Sequence, residues 1–222
     1  MNDIKERLKE LLEETGGRPM EHEIKGMLKD LGLQVPKGVF IPAGKRISRP
    51  RGLRFPLAVK AASPDIRSKS EARALRLGIR TEREFLHAAG ELLKNVKGAR
   101  GLLVEEMHEG GIEAIAGGFS DAQFGPVTMF GLGGFFVEVF RDVSFALAPT
   151  SRAEALKLAS RIKGFNVLKG VRGRPAVDFD AMSRAIETVS RLIATGLIKE
   201  IDLNPVSLSP EGAVVLDAKI FV

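Results

Sequence analysis

The sequence predicts an α/β protein. Three observations carry that expectation: apolar residues at helical spacing alternate with short apolar, strand-like runs along the 222 residues; a glycine-studded apolar stretch, DAQFGPVTMFGLGGFFVEVFRD, occupies positions 121–142; and a β-hairpin pattern closes the chain. Within that stretch Gly125, Gly131, Gly133 and Gly134 sit among Val, Met, Phe and Leu. Such glycines either let backbone amides approach a phosphate or let strands pack and turn tightly. The stretch lacks the Walker Lys-Ser/Thr and the spaced Rossmann glycines, so taken alone it points to packing.

Composition narrows the function classes. Hydrophobic residues at 44% and charged residues at 28% describe a globular chain with enough material for a substantial core. No apolar run is long enough to span a bilayer, and MNDIKERLKELLEE is too charged for a signal peptide, so the expected location is the cytoplasm. The balance of 34 basic and 28 acidic residues gives +6, which suits anionic nucleotides and coenzymes as partners. Basic residues are spread apart from KRISRPRGLR at 45–54, and there is no Tyr or Trp to stack bases, so no nucleic-acid partner is expected. The absence of Cys excludes disulfides, thiolate catalysis and Cys-based zinc sites; together with zero Trp and Tyr and abundant charge it suits a thermophile.

In chain order, Ile4, Leu8, Leu11 and Leu12 mark one face of a helix over 4–14, stopped by Thr15-Gly16-Gly17. A second helix is expected over 21–31 with Gly32 as its stop, and a short strand over 39–41. Residues 55–60 read as a strand ending in Lys60, with 61–65 breaking away. A lysine at a strand end is either a point charge for phosphate oxygens or a solvated terminus. The polar, basic segment 66–71 has the character of a loop over an anionic ligand and equally of any surface loop. A strand over 75–79 leads to a helix over 81–96, whose Thr81 and Glu84 form a capping-box pattern and whose His87 is read as a partly buried or surface residue.

Residues 101–107 form a strand that runs into acids, then a Gly110-Gly111 turn and a returning strand over 112–119. Such a hinge makes a crevice wall for a flat purine, with Glu105 and Glu113 as acceptors for amine and ribose hydroxyl groups. His108 lies in the hinge, and with only His22 and His87 elsewhere there is no histidine metal spacing. After the apolar residues 145–149 a helix is expected over 151–163 with Ser151 and Glu154 as its capping box, then a basic glycine-punctuated loop over 169–175, and a helix over 180–195. In the closing hairpin, period two places Asp202 and Asn204 on one strand face, with Asp217 on a single returning strand over 213–219. Acids between apolar strands need a positive partner, and three such oxygen donors suit Mg²⁺.

The motifs SPDIRSKSE, LVEEM, FGPVTMFGLGGFFVEVFRDVSFALAP, LKGVRG and EIDLNP, in that order, resemble the ATP-grasp (beta) subunit of ADP-forming acetyl-CoA synthetase, within the succinyl-CoA synthetase superfamily. The resemblance runs from about residue 19 to the last residue, 222. It implies an ATP-grasp fold of two α/β subdomains with a nucleotide cleft between them. The first would span about 19–105 with part of the helical preface, the second about 106–222.

It also implies a hetero-oligomer in which a CoA-binding alpha subunit forms the acyl phosphate and carries a phosphohistidine. The present chain would pass that phosphoryl group to ADP, making ATP reversibly. Carried over by position, Lys60 contacts the nucleotide phosphates; Arg67, Ser68 and Lys69 lie on the loop over them; Glu105 and the His108 backbone border the adenine, and Glu113 the ribose. Asn204 and Asp217 hold Mg²⁺, Asp202 faces the incoming phosphohistidine, and the glycines of 121–142 become the floor of the phosphate cleft.

The chain departs from this pattern in the loop. The acetyl-CoA synthetase branch reads His-Lys-Ser-Asp followed by two glycines; here the histidine position is Ser68, the aspartate is Glu71, and the glycines are Arg73 and Ala74. A serine hydroxyl is far less nucleophilic than imidazole near neutral pH. The expectation is therefore a working ligase subunit, with a catalytically weak nucleotide-binding or regulatory paralogue as the alternative.

Overall fold

The computed structural model describes residues 2–64, 66, 73–134, 142–171, 173 and 175–222. These divide into two compact units, one of Met1–Pro19, Glu23–Val35 and Gly110–Val222, the other of Met20–His22 and Pro36–Glu109. The helical preface outside residues 20–22 thus groups with the C-terminal part of the chain. The loop residues Arg67, Ser68, Lys69 and Glu71, positions 135–141 of the glycine-rich stretch, and Arg172 and Arg174 of the basic loop lie outside the described residues.

The chain opens with α1 (Asn2–Thr15) and α2 (Glu21–Asp30). Ile4, Leu8 and Leu11, and then Ile24, Met27 and Leu28, are buried in the core of the larger unit, as their helical spacing requires.

The smaller unit is an antiparallel sheet of β1 (Gly38–Pro42), β2 (Leu57–Ala62), β3 (Leu75–Ile79) and β4 (Gly101–Glu106), in the order β1-β4-β2-β3. Helix α3 (Glu82–Asn95) covers one face, and Phe85, Ala89 and Leu92 pack with Leu57, Val59, Ala61, Leu102 and Val104. Thr81 caps α3 by accepting the Glu84 N–H at 3.2 Å, whereas the Glu84 carboxylate takes the N–H of Arg80 at 2.8 Å. His87 is a surface residue, its side chain 77% exposed.

Strand β2 corrects the expectation of a strand ending at Lys60. Ala61 and Ala62 continue the ladder opposite Leu102 and Gly101, and Ala61 also donates its N–H to Ala74 at 2.8 Å. Two small apolar residues fit this central strand, so the chain leaves the sheet only at Ser63-Pro64 and Lys60 lies inside it.

The larger unit is a six-stranded antiparallel sheet of β5 (Ile112–Asp121), β6 (Gly125–Leu132), β7 (Val143–Leu147), β8 (Glu200–Ser209), β9 (Gly212–Val215) and β10 (Ala218–Phe221). The order is β10-β8-β5-β6-β7, with β9 also paired to β8. Helices α4 (Arg152–Ser160), α5 (Phe165–Leu168) and α6 (Phe179–Ile193) belong to it as well, among the described residues. Ser151 and Glu154 form the full capping box of α4. Ile186, Val189 and Leu192 of α6 are fully buried in one core with Ala114, Phe130, Leu132 and Leu203.

The returning strand at the C-terminus also differs from expectation. It is two strands: β9 pairs with residues 206–209 of β8, and β10 with residues 200–203. Between them stands Pro205, which has no N–H for the ladder. There the Pro205 carbonyl accepts from Leu216 at 2.9 Å, and the Asn204 N–H goes to the Asp217 carbonyl at 3.1 Å.

Candidate functional site

In the smaller unit, strand alternation separates the α3-facing residues Leu57, Val59 and Ala61 from Ala58, Lys60 and Ala62 on the opposite face. Glu105 stands opposite Ala58 in register and therefore shares the face of Lys60. Lys60 is 6% exposed and Glu105 2%. The Lys60 ammonium lies 2.7 Å from Glu105 Oε2 and 2.6 Å from Oε1 of Glu21, which opens α2. Of the two readings of Lys60, the solvated terminus is ruled out: the ammonium is buried and shared by two carboxylates. Gly38, the register partner of Glu105, makes room for it, since a Cβ there would stand 2.8 Å from Glu105 Cγ. Beside this group His22 stacks on Phe40, ring centroids 3.9 Å apart.

His108 follows β4, and its ring Nε2 is buried with no hydrogen-bond partner among the described residues. Glu106, beside Glu105, points elsewhere and pairs with the Arg54 guanidinium at 3.4 Å.

In the larger unit, Ile201 and Leu203 enter the core while Asp202 and Asn204 occupy the other face of β8, as the period of two predicts. Lys219 of β10 stands directly across from Asp202 on one side, and Gly117 of β5, with no side chain, on the other. Burial is the main cause that pushes the Asp202 carboxyl up to about 6. The Lys219 ammonium opposes that rise, Asp217 and Glu200 add to it, and a hydrogen bond from the Asn204 side chain lowers it. Lys219 Nζ is 3.9 Å from Asp217 Oδ2. The backbone beside Asp217 is held by Lys25, 4% exposed, whose ammonium donates to the Leu216 carbonyl at 2.8 Å.

Asp202, Asn204 and Asp217 thus gather at the point where β8 changes partners. No group of three or more His, Cys, Asp or Glu able to hold a metal occurs among the described residues. The donor set here is two carboxylates and a carboxamide, and desolvation of the partly buried Asp202 carboxyl makes its charge costly even with Lys219 across the ladder, a cost that a bound cation would relieve. That chemistry fits Mg²⁺, which binds through one or two carboxylates and fills its other positions with water and phosphate oxygens.

Glu113, exposed on β5, lies against the glycine-rich segment. Its carbonyl accepts the Gly133 N–H at 2.7 Å, and a Cβ on Gly134 would stand 3.0 Å from its Oε2. Gly131 packs as closely on β7, where a Cβ would meet Val143 Cγ1 and the Asp142 carbonyl at 2.7 Å. Asp142 itself is 8% exposed and accepts from the backbone amides of Lys163 and Gly164, at 2.7 Å each.

Of the expected site residues, Lys60 and Glu105 are joined in one unit, and Asp202, Asn204 and Asp217 in the other. Glu21, Gly38, Lys25 and Lys219 were missed. Glu21 and Lys25 read as ordinary polar positions of an amphipathic helix, and their partners are 39 and 191 residues away in sequence. Strand alternation could have found Lys219, two positions beyond Asp217 and in line with Asp202.

This architecture is that of an ATP-grasp domain, and the ATP-grasp domain family matches residues 10–222. The chain is 35% identical to the beta subunit of acetate–CoA ligase (ADP-forming) II of Pyrococcus furiosus, over 97% of this chain and 96% of that subunit. It is also 35% identical to acetate–CoA ligase (ADP-forming) I of Archaeoglobus fulgidus over 97% of its own length, but spans only 33% of that longer protein. Among solved structures, acetyl-coenzyme A synthetase 1 of Ca. Korarchaeum cryptofilum, in complex with coenzyme A, Ca-AMPCP and HgCl+, superposes with a TM-score of 0.84 at 35% identity, covering 97% of this chain and 98% of that one. A second complex of that synthetase, TM-score 0.80 at 35% identity and 99% coverage of both chains, holds coenzyme A and Mg-AMPPCP with its phosphohistidine segment pointing towards the nucleotide binding site. The chain belongs to the ATP-grasp family, in the branch formed by the beta subunits of ADP-forming acetate–CoA ligases. No helix among the described residues is long and apolar enough to cross a membrane.

Proposed function

We propose that the chain is the nucleotide-handling subunit of a cytoplasmic ADP-forming acyl-CoA synthetase, working with a CoA-binding alpha subunit in a hetero-oligomer. The alpha subunit exchanges the thioester of acyl-CoA for phosphate, releasing CoA, and moves the phosphoryl group from the acyl phosphate to its own histidine, releasing the acid. The present chain presents ADP, whose terminal phosphate oxygen takes that phosphoryl group; the histidine is regenerated and ATP leaves. Every step reverses.

The observation that carries this reading is the gathering of Asp202, Asn204 and Asp217 at the β8 partner change. In it Asn204 and Asp217 hold Mg²⁺, and Asp202 faces the phosphohistidine. Bound Mg²⁺ would neutralise charge on the nucleotide's phosphate oxygens, since phosphoryl transfer depends mainly on positioning and charge neutralisation. Lys60 contacts the phosphates, and Arg67, Ser68 and Lys69 are carried over from the resemblance as further nucleotide-binding residues. Glu105 and the His108 backbone border the adenine, and Glu113 the ribose.

The deciding experiment mixes the chain with an alpha-type subunit, acetyl-CoA or another acyl-CoA, ADP, phosphate and Mg²⁺, and measures ATP. ATP formation that requires both subunits is the expected result. Tight ADP binding with no ATP from any acyl-CoA overturns the ligase reading in favour of a second one, a regulatory nucleotide-binding paralogue. That alternative is favoured by Ser68, which stands where the resemblance implies a loop histidine.

A further inference from the structure

Lys60 is placed by two carboxylates of different origin. Glu105 reaches it from the adjacent strand and is fixed by sheet register, with Gly38 clearing its path. Glu21 comes from outside the sheet, from the first residue of α2, and makes the shorter contact, 2.6 Å to Nζ. All three residues are less than a tenth exposed. A lysine on a four-carbon stem has no preferred position for its ammonium, and one contact from the side leaves it free to swing about that contact. A second contact from another direction removes this freedom.

Stability alone is a poor reason for the arrangement. Burying two carboxylates with one ammonium has a desolvation cost that apolar side chains of the same volume would avoid. What the group secures is the location of the Lys60 ammonium.

We propose that Glu21 is the positioning residue of the nucleotide site: it holds the Lys60 ammonium where the phosphates of a nucleoside di- or triphosphate must meet it. This rests on the reading of Lys60 as a phosphate contact. Glu21 acts through Lys60 and touches no substrate. The feature that matters is an acceptor oxygen at the end of a side chain of glutamate length, and its negative charge is secondary. Glutamine therefore replaces it, and aspartate, one methylene shorter, does not.

The test is calorimetric titration of the intact chain, in Mg²⁺ buffer, with ADP and separately with adenosine. Glu21→Gln is expected to keep ADP affinity within about threefold of the parent, by retaining its acceptor oxygen. Glu21→Asp and Glu21→Ala are expected to weaken ADP about tenfold, the cost of one lost charge-assisted contact, with adenosine unchanged. In Lys60→Met, which loses ADP affinity to a similar degree, adding Glu21→Ala is expected to cost nothing more.

Should Glu21→Ala fail to fold, the contrast between the aspartate and glutamine variants decides. If Lys60→Met binds ADP like the parent, the reading of Lys60 itself is wrong. If Lys60→Met is weak but Glu21→Asp binds normally, the positioning role alone is overturned. Equal weakening of ADP and adenosine in Glu21→Asp also overturns it, because that is the mark of a general structural defect.

Discussion

Lys219 stands directly opposite Asp202 across the β10–β8 ladder, yet the Asp202 carboxyl is still pushed up to about 6 from an ordinary 3.8. One neighbouring ammonium does not offset burial combined with the charges of Asp217 and Glu200. Because the folded state holds this proton more tightly than the unfolded chain, the ionised group destabilises the fold above about pH 6, and the penalty is relieved as pH falls from 6 towards 4. In metal-free protein the stability difference between Asp202→Asn and the parent should be up to about 3 kcal/mol in favour of the variant at pH 7, vanishing near pH 4. Urea unfolding of both proteins across that range checks it, and an unchanging difference would refute the assignment.

Asp217→Ala should abolish Mg²⁺-dependent nucleotide binding, because it removes one of two proposed metal ligands while the backbone clasp from Asn204 to residue 217 remains available. The measurement is a magnesium titration at fixed ADP. Affinity that rises with Mg²⁺ as steeply as in the parent would remove Asp217 from the metal site.

Asp142 closes a turn by accepting two successive amides, those of Lys163 and Gly164. Asp142→Ala leaves both amides without that acceptor and should lower stability by about 2–4 kcal/mol, the lower part of twice the cost of one unsatisfied buried group because both bonds are part-buried. Denaturant unfolding measures this directly. A loss below about 0.5 kcal/mol, the usual range of a surface substitution, would show that water replaces the carboxylate without cost.

Arg73 takes a left-handed backbone, with φ of 50°, at a position where the resemblance implies glycine. That conformation costs a residue with a Cβ about 1–2 kcal/mol. Glycine recovers the cost but adds roughly 0.4–1 kcal/mol of unfolded-chain entropy. Arg73→Gly should therefore be neutral or stabilising by up to about 1.6 kcal/mol, whereas a glycine placed at a right-handed or extended site normally destabilises. A melting temperature lowered by the substitution would contradict this.

Helices α1, α2, α3, α4 and α6 were legible because their signals are local, whereas the single turn of α5 (Phe165–Leu168) was not. Ser151 and Glu154 lie three residues apart and do cap α4, and Ile4, Leu8 and Leu11 share one buried face. Strand alternation likewise put Asp202 and Asn204 on the face away from the core. What escaped was set by pairing between distant segments. The environment of Lys60 depends on Glu21 and on β4, and nothing within a few residues of Lys60 announces either. The split of the returning strand depends on Pro205 in the opposite strand, so the apolar run around Leu216 read as continuous.

That split has a consequence for how the chain tolerates change in length. Strand β9 is pinned by its own ladder and by the Val215 N–H bonded to the Gln34 carbonyl at 2.8 Å, while Leu216 and Asp217 are clasped separately by Lys25 and Asn204. Residues inserted at the tip between Ser209 and Gly212 would enlarge an outer loop without shifting the carboxylate of Asp217. The hairpin tip can drift in size while the acid beyond it keeps its address.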